Sequence, residues 1–493
     1  MGSFSPFIDK RSTSSVVKRG LRFSVIITVM AILAFSLGIT ARLNMPKSQG
    51  SLRDLDRITS LGELSAYHAT GNMVDVSGRS DEDVRPLQTM LDALQQVRRY
   101  YVEPIEDPQE KDLTYGVLSK MLESLGDPQS RFLVPAQREL ADDALKGKFH
   151  GIGAVLNVKK EKTSNGMESR LIVVAPLPGS PAAKAGLLPG DSIREKDGKW
   201  IISYDPISAA MGMATSVRNG QIAPSVWQKA LESAKKKLDN GATIQKAADE
   251  LTKVDTGQFK LTIVRAGVSK HIQVTITPGV TEVTAVEHRI LDSSTGYIHI
   301  NYFGRQTADM FASALAEMQK SKATKLILDL RNTPGGSVDS ALRVAGWMTP
   351  GKTFAQLAKS QSARSTVYAP VPGKDSQEKS RNLADAEAIR KPIMILVNKG
   401  TSSAAEILAA ELRDNGVAVL IGSNTYGEFL QHTMLTLGDG SAVTFTTGKY
   451  LTPKGLDLEQ KGIRVDIAIA ASSGSEDEQL KKAISVLKAK TGS

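Results

Sequence analysis

Phe23–Ala41 is a run of 19 residues without a charge, bracketed by Arg22 and Arg42. As a helix it would span about 28 Å, close to the hydrocarbon thickness of a bilayer. It lacks the wide polar face of a helix that packs on a soluble core. The expectation is a transmembrane anchor at 23–41 behind a basic cytoplasmic tail at 1–22. Lys10, Arg11, Lys18, Arg19 and Arg22 precede the run, and the nearest basic residues after it are Arg42 and Lys47. The positive-inside rule then puts the N-terminus inside the cytoplasmic membrane and the bulk of the chain outside, in a periplasm or at the cell exterior. The alternative is a cleaved signal peptide and a secreted chain. Such a peptide usually has an apolar core of about 7–15 residues, and the small-residue site near Ala41 has the bulky Ile39 at its −3 position.

The anchor also explains the charge. The chain carries a formal +10, which on its face invites a nucleic-acid reading. The first 53 residues hold eight Lys/Arg against Asp9 alone and so carry +7 of it. The remainder is close to neutral, and no nucleic-acid partner is expected. The 493 residues suggest about three domains. Cys is absent, which removes disulfides, thiolate metal sites and a Cys nucleophile.

Residues 42–85 are polar and read as a linker. Leu87, Met90, Leu91, Leu94 and Val97 follow helical spacing, as do Leu113, Val117, Leu118, Met121 and Leu125, which predicts a helical module at 86–145. From Phe149 the pattern turns to strands and Gly/Pro turns. Residues 259–265 and 271–277 read as a hairpin around Ala266-Gly267. This β domain covers 146–283 and contains a Lys/Ala-rich helical insertion at about 205–255. From 284 to 472 buried strands alternate with helices, the signature of an α/β layer structure. A C-terminal helix at 473–493 opens with Ser475 and Glu478 at capping-box spacing. The fold class expected is a multidomain α/β chain with an N-terminal membrane helix.

The strongest chemical candidate is Ser403, in Gly400-Thr401-Ser402-Ser403-Ala404-Ala405-Glu406, after an apolar strand and at the start of a helix. Backbone N–H groups and the helix dipole favour a developing oxyanion there. An ordinary N-cap Ser fits the local pattern as well. Gly335-Gly336 ends another buried strand, where sites of open α/β sheets lie; a plain tight turn after Pro334 is the alternative. The six His are scattered, and no P-loop or zincin motif is present, so no metal and no cofactor is expected.

Several further motifs occur in order. They are Tyr100-Tyr101-Val102, Leu125-Gly126-Asp127-Pro128-Gln129-Ser130, Gly151-Ile152-Gly153-Ala154, Gly179-Ser180-Pro181-Ala182 and Leu188-Pro189-Gly190-Asp191. Leu328–Gly336, Tyr450–Gly455 and Lys461-Gly462-Ile463 come after them. From about 86 to 470 this succession resembles the membrane-anchored C-terminal processing (tail-specific) serine peptidases with a PDZ domain. The resemblance implies an α/β peptidase-like core and acyl-enzyme chemistry at Ser403, with oxyanion donors at Gly335, Gly336 and Ala404. It also implies capture of a protein's free C-terminus by the amides of Gly151, Ile152, Gly153 and Ala154, the tail adding as a strand. Protein substrates or ligands with free C-terminal tails are the partners implied; a homo-oligomer is left open.

The sequence departs from that family at its base. The family places a Lys 25 positions after the nucleophile, and Glu428 stands there; His432 stands where a Gln supports that Lys, and Gln129 where a His is usual. A carboxylate reverses the charge of the expected base. Three readings are open: a pseudopeptidase that binds tails without cutting them, a rebuilt Ser403–His432–Glu428 relay with 428 and 432 on one strand face, or a Lys from elsewhere, with Lys399 the nearest in sequence.

Overall fold

The computed structural model describes residues 81–107, 109–163, 166–359, 364–370, 393–470 and 476–491. The expected basic tail, anchor and most of the linker lie outside the described residues. Among the described residues no helix is long and apolar enough to cross a membrane. Residues 1–69 and 70–493 separate into two units, and every described residue belongs to the second.

Helix α1 (Asp81–Tyr100) begins inside the segment read as linker. The helix runs through Pro86, its sixth residue, where the apolar spacing alone would have placed a boundary. α2 (Gln109–Glu123), β1 (Arg131–Leu133) and α3 (Pro135–Leu145) come next. The turn between α2 and β1 is tied by Asp127. Its carboxylate accepts from the Ser130 hydroxyl at 2.6 Å and the Gln129 amide at 3.0 Å.

The next stretch builds two antiparallel sheets. β2 (Lys148–Gly151) pairs with β9 (Gly279–Glu282). The larger sheet has the order β3-β4-β5-β7-β8, with β6 on β5. Its strands are β3 (Ala154–Thr163), β4 (Gly166–Pro176), β5 (Ser192–Lys196), β6 (Lys199–Trp200), β7 (Phe259–Val264) and β8 (Ile272–Ile276). α4 (Pro181–Lys184) is a single turn capped by Ser180. Between β6 and β7 lie α5 (Pro206–Met211), α6 (Ala214–Arg218), α7 (Pro224–Asp239) and α8 (Ile244–Leu251). α8 puts Ala247 and Leu251 into the same core as Ile152, Leu171, Val173, Ile193, Leu261 and Ile263. The insertion is therefore part of the domain's packing.

β10 (Val286–Asp292) and β11 (Thr295–Ile300) open the C-terminal half. A second six-stranded sheet has the order β10-β11-β12-β15-β16-β19, with β12 (Lys325–Asp329), β15 (Ile393–Val397), β16 (Ala418–Gly422) and β19 (Ile467–Ala468). All of its pairs but β10·β11 are parallel. Parallel strands covered on both faces need continuous apolar runs, and every residue of β15 is buried. α9 (Thr307–Lys320), α10 (Val338–Met348) and α11 (Ala404–Asp414) are the crossovers. The final helix, α12 (Glu478–Thr491), lays Ala483 and Leu487 against Ile327, Met394 and Leu396. A third sheet has the order β1-β18-β13-β14, with β17 on β18. It comprises β13 (Thr353–Ala358), β14 (Arg364–Tyr368), β17 (Leu430–Thr436) and β18 (Ala442–Leu451). The pairing Phe132↔Val443 draws the α2–β1 turn into the core.

One ion pair pins the β domain. Arg265 grips Asp191 with Nε and Nη2, each at 2.8 Å, and the Asp191 side chain is 1% exposed. Arg265→Ala strands that carboxylate, and a loss of about 3 kcal/mol is expected. The urea unfolding midpoint of the β domain checks this; an unchanged midpoint contradicts it.

Candidate active site

β12 and β15 are parallel neighbours, so the loops leaving their carboxyl ends meet. Asn332 and Asn398 clamp those loops reciprocally. The Asn332 amide donates to Asn398 Oδ1 at 2.9 Å, and Asn398 Nδ2 donates to Asn332 Oδ1 at 2.8 Å. The Thr401 hydroxyl donates to the Leu330 carbonyl at 2.7 Å, and the Ser402 amide to that of Thr333 at 3.0 Å. Gly335 (φ 97°) and Gly336 (φ 124°) adopt backbone that L side chains avoid. A side chain at 335 would lie 2.8 Å from Ser403 Cβ and 3.2 Å from the Ala404 nitrogen; at 336 it would meet the Phe303 carbonyl at 2.3 Å. Two expected oxyanion elements, the glycine turn and the start of α11, are thus in contact.

Ser403 has φ 54° and ψ −121°. An ordinary N-cap is extended, and a non-Gly residue in this region costs about 1–3 kcal/mol unless its surroundings hold it. Glu406 is what holds it. This fully buried carboxylate accepts from the Ser403 amide at 3.1 Å and from the amides of Gly427 and Glu428 at 2.8 Å each, and also from the Thr425 hydroxyl. One side chain therefore fixes both the candidate nucleophile and the loop bearing the residue at the base position. Burial pushes the Glu406 pKa up to about 8, against the pull of these hydrogen bonds. Sequence reasoning misses Glu406 as a site residue, although its place three residues after Ser403 is the capping-box spacing.

Glu428 does not lie on a strand with His432. It precedes β17, and a register shift separates Gln431 from His432 in the β17·β18 ladder. The Glu406 clamp takes residues 427–428 out of the sheet, which is why the strand-face expectation fails. The pair still meets, with His432 Nε2 3.6 Å from Glu428 Oε1. Glu428 Oε2 accepts from Asn157 Nδ2 at 3.0 Å and from the hydroxyl of Ser402, the neighbour of Ser403, at 3.2 Å. Gln129 Nε2 donates to Asn157 Oδ1 at 2.6 Å. His432 Nδ1 lies 3.3 Å from the Thr446 hydroxyl, which donates to Asp127 at 2.7 Å, while the buried Nε2 makes no hydrogen bond. Lys399 is exposed.

The 151–154 loop lies in the β domain. Gly151, Ile152 and Gly153 are buried, and the Ile152 amide donates to the Leu251 carbonyl at 3.0 Å. The turn Leu188-Pro189-Gly190-Asp191 touches the nucleophile loop, where a side chain on Gly400 would lie 2.9 Å from Pro189 Cγ.

The profile of peptidase family S41 matches residues 294–469, which span the glycine turn, Ser403, Glu428 and His432. Over 376 residues the chain is 30% identical to the carboxy-terminal processing protease CtpA of Bacillus subtilis, covering 76% of this chain and 67% of that one. The chain belongs to peptidase family S41. It is also 28% identical to the chloroplastic carboxyl-terminal-processing peptidase 3 of Arabidopsis thaliana, covering 79% and 70% of the two chains. The photosystem II D1 C-terminal processing protease shares its fold, with a TM-score of 0.51 at 24% identity over 77% of this chain and 91% of that one.

In this member of family S41 the site is acidic. Burial first, then Glu428, Glu406 and Glu459, raise the Tyr426 hydroxyl pKa. Glu406 gives a signed test. Its folded pKa of about 8 exceeds the ordinary 4.5, so the folded state keeps a proton that the unfolded state has released. Its contribution is full below 4.5 and is lost as pH rises through about 8. Relative to Glu406→Gln, the native chain should lose stability between those limits. Denaturant midpoints against pH for both proteins check this; parallel curves contradict it.

Proposed function

We propose that this chain is a membrane-anchored peptidase outside the cytoplasmic membrane, which binds the free C-terminal tails of envelope proteins and cleaves them through an acyl-enzyme on Ser403. The observation that carries this is the Ser403 backbone, held at φ 54° by the buried Glu406 and pressed against Gly335. A serine serving only as a cap has no use for that strain. Ser403 Oγ attacks the scissile carbonyl and its proton passes to the Glu428–His432 pair; the pair returns that proton to the amine as the C–N bond breaks, and water then hydrolyses the Ser403 ester. The oxyanion forms beside the Gly335-Gly336 turn and Ala404. Residues 146–283 act as a PDZ domain: the tail adds along β3, the terminal strand of its sheet, with its carboxylate at Gly151–Ala154.

A second reading is favoured by one specific contact. Glu428 is hydrogen-bonded to Ser402, and no described hydrogen bond joins Glu428 or His432 to Ser403. Held there, the site binds tails without cutting them, and the chain is a pseudopeptidase scaffold.

Cleavage of an unstructured protein with an apolar C-terminal tail separates the two. The peptidase reading expects turnover that Ser403→Ala lowers by about 10³-fold or more. His432→Ala and Glu428→Lys should each lower it by about 10²-fold or more. Equal background rates for the native chain and Ser403→Ala leave the scaffold reading; an undiminished rate in His432→Ala removes His432 as base. Under either reading, amidating the tail carboxylate should weaken binding about tenfold or more, and equal affinity removes the recognition role of 151–154.

A further inference from the structure

We infer that the insertion carries an internal competitor for the tail: the last turn of α8 occupies the amide that a substrate's terminal carboxylate takes. This rests on the tail-recognition reading of Gly151–Ala154. The last four carbonyls of a helix lack intrahelical partners and carry partial negative charge. The Leu251 carbonyl is one of them, and it accepts from the Ile152 amide at 3.0 Å. The contact is close. A side chain on Gly151 would lie 2.0 Å from the Leu251 oxygen and 2.5 Å from Thr252 Cα, and Ile152 and Leu251 are 2% and 1% exposed. A helix-end carbonyl and a carboxylate oxygen present the same acceptor to the same donor, so the two cannot occupy it together. β3, meanwhile, has only β4 beside it in the sheet order, so among the described residues no strand pairs with its other side. The amide for a tail's carboxylate is thus filled, whereas no described strand fills the edge along which its backbone would add.

The same turn is held from outside the groove. Glu250 pairs with Lys196 at 3.3 Å. Within the helix, Asp249 accepts from Gln245 Nε2 at 2.8 Å. Tail binding therefore requires the last turn of α8 to release the Ile152 amide, and affinity falls by the fraction of time that amide is held.

The test uses the full chain with Ser403→Ala, so that nothing is cut. It is titrated with a fluorescent ten-residue peptide ending in three apolar residues, and with its C-terminally amidated twin. Adding Glu250→Lys sets like charges against each other at Lys196. It should tighten binding of the free-carboxylate peptide about tenfold and leave the amidated twin unchanged. Unchanged affinity, with preference for the free carboxylate retained, overturns the competitor and spares the recognition reading. No preference in either protein overturns both. Hydrogen exchange on the Ser403→Ala chain gives a second reading that needs no change in α8. Saturating free-carboxylate peptide should speed exchange of the 249–253 amides several-fold; unchanged or slower exchange there overturns the inference.

Discussion

The Glu406 carboxylate accepts from the amides of Ser403, Gly427 and Glu428 while fully buried, and the geometry of the site depends on it. A buried carboxylate is costly unless its lone pairs are filled. Filling them draws the 425–428 loop onto the first turn of α11. It also offsets the strain at Ser403 and brings Glu428 beside Ser402 rather than into the β17 ladder. The Asn332–Asn398 clamp does the same for the glycine turn. The two loops that leave β12 and β15 are locked to each other and to a third segment well before any substrate arrives.

Much of this is legible in the residues. The apolar runs at Leu326–Leu328 and Ile393–Val397 announce a parallel sheet, and the Ser403 and Gly335-Gly336 segments are visible at its strand ends. Their meeting is not derivable from periodicity; it needs β12 and β15 to be adjacent across a crossover. The Glu428–His432 pairing is anticipated for the wrong reason. Spacing suggests a shared strand face, whereas the loop reaches His432 because Glu406 pulls it out of the sheet. Asn157 and Gln129 carry no local signal, since Asn157 reaches Glu428 at 3.0 Å and Gln129 reaches it at 3.5 Å through the tertiary fold rather than through sequence spacing.

Glu428 puts a carboxylate at the position where the resemblance implies a cation. Its Oε2 takes neutral donors, Asn157 and Ser402, with His432 beside Oε1. Gln129, Asn157 and Glu428 come from the helical segment, the β domain and the core, so the residue at the base position is also where the three parts of the chain meet. Whatever moves β3 acts on that same junction.

The central claim is that the clamped elbow makes Ser403, and not its neighbour Ser402, the nucleophile. Its most direct measurement is mass-spectrometric mapping after treatment with a fluorophosphonate, which phosphonylates activated serines. The account predicts one adduct, on Ser403, lost when Glu406→Ala releases the elbow. An adduct on Ser402, or no adduct on the native chain, contradicts it.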